Sequence, residues 1–359
     1  MDLDIELRLL PPEKRRSLQA DSEFGFGRLF TDHMFYMEYD KARAWHGACI
    51  KPYEPICLDP AAVVFHYSQT IFEGLKAYYG VDGRIRLFRP DQNMARLNHS
   101  ARRMCMPEID EAFVLKVIKK LVSIEKDWIP RERGSALYIR PLMMGTEAFL
   151  GVKPSDNYIF FIILSPVGAY YREGFNPIKI FVTDQYVRAV PGGVGDVKTG
   201  GNYAASLMAS EEAKKLGYTQ VLWLDALERR YVEEVGTMNI FFYFEDELVT
   251  PKLTGSILPG ITRDSVLRMT KDWGLPVKER RISIDEVIEG IKSGRLKECF
   301  GTGTAAVISP VGWLAYKGEE YVINHGQTGP LAKRLFDELT GIQYGDRPDP
   351  YGWIQFVEP

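Results

Sequence analysis

Residues Val190 to Tyr203 read Val-Pro-Gly-Gly-Val-Gly-Asp-Val-Lys-Thr-Gly-Gly-Asn-Tyr, and Lys198 is the only cation among them. Glycines stand on both sides of this lysine, and they allow a backbone to approach a ligand closely or to take a positive φ. An amine that such a segment shields from water has a lowered pKa and acts as a nucleophile. The pattern is therefore typical of a lysine that forms a Schiff base, and equally typical of a flexible surface loop with a solvated lysine.

Two other functions of glycine-rich segments do not fit. A phosphate-binding P-loop needs Gly directly before its lysine, and Val197 stands in that place. A dehydrogenase of the Rossmann type needs Gly-x-Gly-x-x-Gly after a strand, which the segment lacks. Neither a P-loop nor a dinucleotide site is therefore expected here.

Composition indicates an ordinary globular protein of about two domains. The 359 residues carry a formal net charge of −3, which gives no basic field for nucleic acid or an anionic membrane surface. Cys49, Cys57, Cys105 and Cys299 lack the close pairs of a zinc site or a disulfide framework. No signal-peptide pattern opens the chain, and its longest apolar run, Tyr158–Leu164, is too short to span a bilayer. We expect a cytoplasmic protein without a metal site.

Strand and helix patterns alternate without the regular β-α-β order of a doubly wound sheet. Apolar runs between turn residues predict strands, among them Phe24–Phe30 and Val63–Tyr67. Periodic apolar residues predict helices from Pro90, over Asp110 to Trp128, and over Ala204 to Leu216. We therefore expect two α+β lobes, with residues 1–165 and 178–359 as domains and the glycine- and proline-marked segment 166–177 as the linker.

Three further segments have the residues of an anion site. Leu258-Pro-Gly-Ile-Thr262 leads into a predicted helix, whose first amides would meet a phosphate at the positive helix end. Gly301-Thr-Gly-Thr-Ala305 offers a second group of N–H groups and hydroxyls, and Arg96 lies one turn into the helix from Pro90. Each pattern is also typical of an ordinary feature: a turn, a tight bend and a surface charge, respectively.

Two pairs of polar residues fall within apolar strand patterns. Glu233 and Glu234 are costly there unless a cation or a proton donor, such as a protonated pyridine nitrogen, pairs with them. A strand end that faces water is the alternative. Tyr138 and Arg140 alternate along a strand and so share one face, which suits a substrate carboxylate or an interior ion pair.

Together these segments resemble the branched-chain aminotransferases, which belong to fold type IV of the enzymes that use pyridoxal 5'-phosphate (PLP). Seven segments carry the resemblance, in the family's order and over nearly the whole chain: Phe72-Glu-Gly-Leu-Lys76, Leu87-Phe-Arg-Pro90 with Asn93-Met-Ala-Arg96, Tyr138-Ile-Arg-Pro141, Asp196-Val-Lys-Thr-Gly-Gly-Asn-Tyr203, Glu234-Val-Gly-Thr-Met-Asn239, Leu258-Pro-Gly-Ile-Thr262 and Gly303-Thr-Ala305. It implies an α+β fold with a smaller N-terminal α/β lobe and a larger, PLP-binding C-terminal pseudo-barrel lobe.

The resemblance also implies how PLP is held. Lys198 would form the Schiff base and later move the proton between the substrate's Cα and the cofactor's C4′. Glu234 would pair with the pyridine N–H and so keep the ring an electron sink. Tyr203 would lie near the cofactor's phenolic oxygen. Four residues would bind the phosphate: Arg96, Ile261, Thr262 and Thr304.

For the substrate, the resemblance implies transfer of the amino group of L-leucine, L-isoleucine or L-valine to 2-oxoglutarate. The α-carboxylate would meet the amides of Thr304 and Ala305, with Tyr138 and Arg140 nearby. The resemblance also implies a homo-oligomer built on dimers, in which two subunits form the walls around the substrate's side chain. One subunit would provide Phe26, Tyr67, Phe72, Tyr170 and Thr237. Its partner would provide Leu150 and Val152.

One departure and three alternatives remain. Some relatives carry a Cys-x-x-Cys where this chain has Ala306 and Ser309, so we expect no thiol switch. A D-amino-acid transaminase and an aminodeoxychorismate lyase share the fold and the PLP-binding residues. A catalytically silent PLP-binding interaction protein is the third alternative. The presence of Lys198, Tyr203 and Glu234 favours an active enzyme, and Tyr138 with Arg140 favours the branched-chain type.

Overall fold

The computed structural model describes residues 3–18, 25–168 and 175–358, and the strands within them form two nine-stranded sheets. In chain order the strands are β1 Glu6–Leu7, β2 His33–Asp40, β3 Ala44–Pro52, β4 Thr70–Phe72, β5 Leu75–Tyr79, β6 Ile85–Phe88, β7 Ala136–Gly145, β8 Asn157–Val167, β9 Ile178–Thr183, β10 Gln220–Leu224, β11 Val232–Val235, β12 Asn239–Phe244, β13 Leu248–Thr250, β14 Val277–Glu279, β15 Leu296–Gly303, β16 Val307–Tyr316, β17 Glu319–Val322 and β18 Ile354–Val357.

Helices connect and cover these strands. In chain order they are α1 Val63–Tyr67, α2 Pro90–Arg103, α3 Glu111–Ile124, α4 Gly200–Ala204, α5 Leu207–Lys215, α6 Ile261–Asp272, α7 Ile284–Lys292 and α8 Pro330–Tyr344, with short 3₁₀ turns at Pro12–Lys14, Lys126–Trp128 and Asn324–Gly326. In the described ranges, none of these helices combines the length and the apolar character needed to cross a membrane.

Contacts between Cα atoms divide the chain into two compact units. Unit 1 comprises Met1–Tyr170, Val197–Gly200 and Gly341–Pro359, and unit 2 comprises Tyr171–Asp196 and Gly201–Thr340. The chain returns to unit 1 at Val197 and again at Gly341, and the predicted division contains neither return. That division stays a prediction at its linker, because residues 169–174 lie outside the described residues.

The sheet of unit 1 has the order β1-β3-β2-β8-β7-β5-β6-β18, with β4 paired to β7. Its neighbours are antiparallel except β1 and β3, which are parallel. The helix α3 packs on α2 and on β2, and its side chains Phe113, Val117 and Leu121 are buried in one cluster with the sheet. The helix predicted from Pro90 is confirmed as α2, and its periodic apolar residues Met94, Leu97 and Ala101 form one fully buried stripe.

The sheet of unit 2 has the order β11-β10-β9-β16-β15-β12-β13-β14, with β17 paired to β16. It is mixed, because β9 runs parallel to β10 and to β16 while β15 is antiparallel to both of its neighbours. The helices α6 and α7 pack against β15, and α5 packs against β10 and β9. Mixed sheets with helices in both units confirm the two-lobe α+β architecture.

Two predicted elements are wrong, and a third has a different start. Val63–Tyr67 is the helix α1, which ends at Ser68 in the left-handed region; only Val63 of its five residues is buried, so a strand's alternation is missing. Residues 25–30 form bends, not part of a strand, because Gly27 has a φ of 69° that extended backbone excludes. The helix predicted over Ala204 to Leu216 is present as α5, Leu207–Lys215, and it begins later than predicted because a separate short helix, α4, ends at Ala204.

Candidate active site

The backbone around Lys198 is fixed within unit 1. Thr199 forms an antiparallel bridge with Ile71, and the N–H of Phe72 donates to the carbonyl oxygen of Lys198 at 3.0 Å. The N–H of Lys198 donates to the hydroxyl of the buried Ser100 at 3.1 Å. The lysine is half-buried, and its Nζ lies 4.8 Å from the centre of the Phe72 ring. The segment is therefore attached to β4 and α2 and is not a free surface loop.

Arg96 is buried on α2 and forms a two-pronged ion pair with Glu73. The Nε and Nη2 atoms of Arg96 donate to the two carboxylate oxygens at 2.7 Å and 3.0 Å. Asn93 Nδ2 and the N–H of Gly74 also donate to Glu73, at 2.7 Å and 3.1 Å. Burial opposes the charge of Glu73, but Arg96, Lys198 and Asn93 outweigh it and hold the pKa of the carboxyl below its ordinary value.

Glu73 has no role in the expectations drawn from the sequence. The one feature of the sequence that could point to Glu73 is its position as an acidic residue directly after the apolar strand β4, where a buried carboxylate needs a cation. Its partner Arg96 is 23 residues away, so no local pattern joins the two.

Tyr138 and Arg140 share one face of β7, beside two aromatic rings. Arg140 Nη2 donates to the Tyr138 hydroxyl at 3.2 Å, and the guanidinium carbon lies 4.6 Å from the centre of the Phe72 ring. Phe26 packs edge-on against Tyr138, with ring centres 4.9 Å apart. Among the residues that the structure describes, Arg140 Nε is buried without a hydrogen-bond partner. This arrangement suits a carboxylate that accepts from the guanidinium between apolar walls.

Tyr67, Leu150 and Val152 lie at the surface of unit 1. The Tyr67 hydroxyl donates to the carbonyl oxygen of Leu150 in the same chain. Leu150 and Val152 are 62% and 87% exposed, which is much for aliphatic side chains. Their contribution to a partner's site stays a prediction, and Tyr170 lies outside the described residues.

Glu234 is a buried carboxylate of β11 in unit 2. Its Oε1 accepts from the N–H of Leu258 at 2.9 Å and from Asn239 Nδ2 at 3.4 Å. Its Oε2 lies 3.0 Å from Arg188 Nε, in an ion pair whose angle is too bent for a hydrogen bond. Glu234 is therefore surrounded by two hydrogen-bond donors and one cation, the partners that a buried carboxylate needs.

The start of α6 is joined to Glu234 through Leu258. Asn239 Nδ2 donates to the carbonyl oxygen of Leu258 at 2.9 Å, so both backbone groups of this residue are bound. Gly260 precedes the helix and provides no side-chain cap. A Cβ there would overlap Asn239 Oδ1, so only glycine fits. A helix N-terminus without a side-chain cap suits a phosphate, and Ile261 and Thr262 are its first residues.

Thr304 and Ala305 occupy the turn between β15 and β16, where both are partly exposed. Next to this turn, within the described part of the chain, the hydroxyls of Thr302 and Ser309 are buried without a hydrogen-bond partner. Hydroxyls of this kind favour an additional polar group nearby, because an unpaired buried donor costs free energy.

Two other predicted residues of unit 2 are Tyr203 and Thr237. Tyr203 lies within α4 and is partly buried. Thr237 is exposed in the tight turn between β11 and β12, where Gly236 has a φ of 57°. Their roles toward cofactor and substrate stay predictions.

Arg188 is a second residue to which the sequence patterns assign no role. Besides its ion pair with Glu234, its Nη2 donates to the carbonyl oxygens of Gly195, at 2.8 Å, and Ser256. The Ser256 hydroxyl donates to Glu233, whose pKa is raised by burial despite that hydrogen bond and the nearby arginine. A single arginine before a glycine-rich segment has no pattern that marks it, so only the structure reveals it.

Replacing Gly195 with alanine is expected to lower the thermal unfolding temperature by several degrees. The new Cβ would overlap the Ser256 carbonyl oxygen and lie 2.5 Å from the Ala189 Cβ, and overpacking of this kind costs about 1–3 kcal/mol. Gly201→Ala is the control, because a Cβ there meets nothing within 4 Å. Equal melting temperatures for the two variants would contradict the packing argument.

Comparisons with known proteins agree on one family. The family model described as amino-transferase class IV matches residues 70–312. Branched-chain-amino-acid aminotransferase 2 of Bacillus subtilis (strain 168) is 57% identical over 336 residues, covering 94% of this chain and 93% of that protein. The probable branched-chain-amino-acid aminotransferase of Staphylococcus aureus (strain N315) is 54% identical over 345 residues, covering 95% and 96%.

Solved structures show the same relationship. The Escherichia coli branched-chain amino acid aminotransferase superposes with a TM-score of 0.76 at 27% identity, covering 91% of this chain and 99% of that one. A T.th. branched-chain amino acid aminotransferase with pyridoxamine 5'-phosphate gives a TM-score of 0.77 at 28% identity, covering 92% and 100%. The chain therefore belongs to the PLP-dependent branched-chain aminotransferases of fold type IV.

Proposed function

We propose that this chain transfers the amino group of L-leucine, L-isoleucine and L-valine to 2-oxoglutarate, with PLP linked to Lys198. The observation that carries the proposal is the attachment of the Lys198 backbone to Ser100 and Phe72, which fixes the point from which the amine extends in a chain of this family. PLP supplies the electron sink for the negative charge that develops on the substrate's α-carbon. Lys198 Nζ would take the proton from that carbon and deliver it to the cofactor's C4′.

The residues present fit the chemical groups of PLP. A phosphate suits Arg96, the start of α6 after Gly260 and the polar turn at Thr304. A protonated ring nitrogen suits Glu234, because a carboxylate accepts such a donor as it accepts Arg188 and the two N–H groups that already face it. Tyr203 is proposed for the phenolic oxygen.

The substrate would use the aromatic rings and the guanidinium of unit 1. Phe26 and Phe72 provide apolar surface, on which each buried methylene of an aliphatic side chain contributes about 0.8 kcal/mol. The second carboxylate of glutamate or 2-oxoglutarate needs a donor, and Arg140 Nε is a buried one. Tyr138 stands beside it, and the amides at Thr304 and Ala305 are proposed for the α-carboxylate.

A donor panel tests the proposal. Initial rates with 2-oxoglutarate are expected to be highest for L-leucine, L-isoleucine and L-valine, lower for L-phenylalanine and negligible for D-alanine. Arg140→Gln is expected to raise the KM for 2-oxoglutarate at least about tenfold, the equivalent of one lost hydrogen bond to a charged group, and to change the KM for L-leucine less. D-alanine as the best donor would identify a D-amino-acid transaminase, and absence of transamination would favour the lyase or the silent protein.

We also propose a cytoplasmic homo-oligomer built on dimers. Support comes from the exposed aliphatic side chains of Leu150 and Val152, which a partner subunit would cover, and from Tyr67, which is bonded to Leu150. A mass of 40.9 kDa in sedimentation equilibrium, that of one chain, would contradict the oligomer.

A further inference from the structure

Three buried side chains of α2 form a polar row on one face. Asn93, Arg96 and Ser100 are spaced three and four residues apart, which places them on the same side of a helix. Asn93 and Arg96 contact the Glu73 carboxylate, and the Ser100 hydroxyl accepts the N–H of Lys198. One helix face therefore contacts both Glu73 and the lysine segment.

The strand β4 makes the same connection from the other side. The Thr199 hydroxyl donates to the carbonyl oxygen of Thr70 at 2.8 Å, and the N–H of Phe72 donates to that of Lys198. Glu73 is the next residue along the chain. The carboxylate that binds Arg96 is thus one peptide unit away from the residue that binds the lysine.

The negative charge of Glu73 is placed next to positively charged side chains. The carboxylate is fully buried, and its neighbours include two cations, Arg96 at hydrogen-bond distance and Lys198. A carboxylate accepts hydrogen bonds from two N–H groups of a guanidinium, whereas the NH₂ group of a glutamine amide is itself a donor and cannot accept one of them. Loss of the carboxylate would leave the buried Arg96 charge without this partner, which is strongly unfavourable.

We propose that Glu73 is a positioning residue of the PLP reaction, an inference that rests on the proposed function. Its carboxylate holds the guanidinium of Arg96 and the segment of Lys198 as one unit and places a negative charge near both cations. A phosphate-binding cation and a nucleophilic amine then keep a fixed spacing before PLP arrives, so that binding does not require them to be ordered.

The test compares Glu73→Gln and Glu73→Asp with the unmodified chain in two measurements. They are the dissociation constant of PLP by equilibrium dialysis and the pH midpoint of the visible absorbance of bound PLP. Glu73→Gln is expected to weaken PLP binding at least about tenfold. It is also expected to lower the pH midpoint, because the positive charge of Arg96 then disfavours a protonated nitrogen at Lys198. Glu73→Asp keeps the charge, so its midpoint should stay near that of the unmodified chain while its affinity falls.

Glu298→Gln is the matched control. Glu298 is also buried, but its oxygens accept the N–H groups of Leu331 and Ala332, at 2.8 Å each, instead of a guanidinium. This variant measures the cost of neutralising a buried carboxylate and should leave the pH midpoint unchanged. An unchanged midpoint in Glu73→Gln as well would overturn the inference, even with a loss of affinity, because that result indicates a structural role only.

A second pair of variants serves if Glu73→Gln does not fold. Asn93→Leu removes one donor from Glu73, and Asn98→Leu, on the same helix, removes bonds to Ile109 and Glu111 instead. Several-fold weaker PLP binding in Asn93→Leu alone would support the inference, and equal binding in both would overturn it. Failure of the unmodified chain to bind PLP would overturn the proposed function and this inference with it, and it would be seen before any variant is made.

Discussion

Lys198→Ala is expected to abolish transamination and to remove the visible absorbance of bound PLP, while the chain stays folded. The fold should survive because the hydrogen bonds of this residue with Ser100 and Phe72 use its backbone, which alanine retains. The chemistry should not survive, because the covalent link and the proton transfer both need the amine. Steady-state rates, absorbance spectra and circular dichroism of the purified variant are the measurements.

Lys76→Met is the control for this experiment. Burial lowers the pKa of Lys76 to about 8, so this lysine is a second amine with an increased neutral fraction near neutral pH. The absorbance of bound PLP should persist when Lys76 is replaced and vanish when Lys198 is replaced. Retained turnover in Lys198→Ala would overturn the assignment of the nucleophile.

Glu234→Gln is expected to lower kcat on the order of 10²-fold, with a much smaller effect on the affinity for PLP. Glutamine can still accept from the N–H of Leu258, so the loop before α6 should stay in place. A neutral amide does not keep the ring nitrogen protonated, and the electron sink is weakened as a result. Single-turnover rates and the dissociation constant of PLP separate the two effects.

Glu233→Gln is the matched control for Glu234→Gln. Glu233 is the preceding residue of the same strand, it is also buried, and it accepts from the Ser256 hydroxyl. Because burial already raises the pKa of this carboxyl, neutralising it should cost little activity. Equal rates in Glu234→Gln and Glu233→Gln would rule out the proposed role of Glu234.

Sequence patterns predict those helices and strands whose formation follows from residues close together in the chain. The predicted stripe of α2 is correct because its apolar residues face one core at helical spacing. The β-branched and aromatic residues of Val63–Tyr67 predict a strand, yet the segment is a helix in which only Val63 is buried, so a β-propensity scale that spans about 1 kcal/mol does not decide its structure. The φ of Gly27 is equally invisible in the sequence.

The residues of the candidate site can also be predicted only in part from the sequence. Lys198, Arg96 and Glu234 can be found from the sequence because each lies in a segment with a recognisable motif. Glu73 also lies in such a segment, Phe72-Glu-Gly-Leu-Lys76, but the motif does not reveal its role, because it acts through a pair with Arg96 that is distant in the sequence. Arg188 lies in none of these segments and acts through a pair with Glu234. Such pairs exist only after strands and helices have packed, so no spacing rule reveals them.

The most direct test of the whole account is borohydride reduction of the PLP-loaded protein, followed by proteolysis and mass spectrometry of the labelled peptide. Reduction converts the Schiff base into a stable pyridoxyl amine on the lysine that formed it. We expect the label on the peptide that contains Lys198, at about one label per chain. A label on Lys76 or on any other lysine, or no label at all, would contradict it.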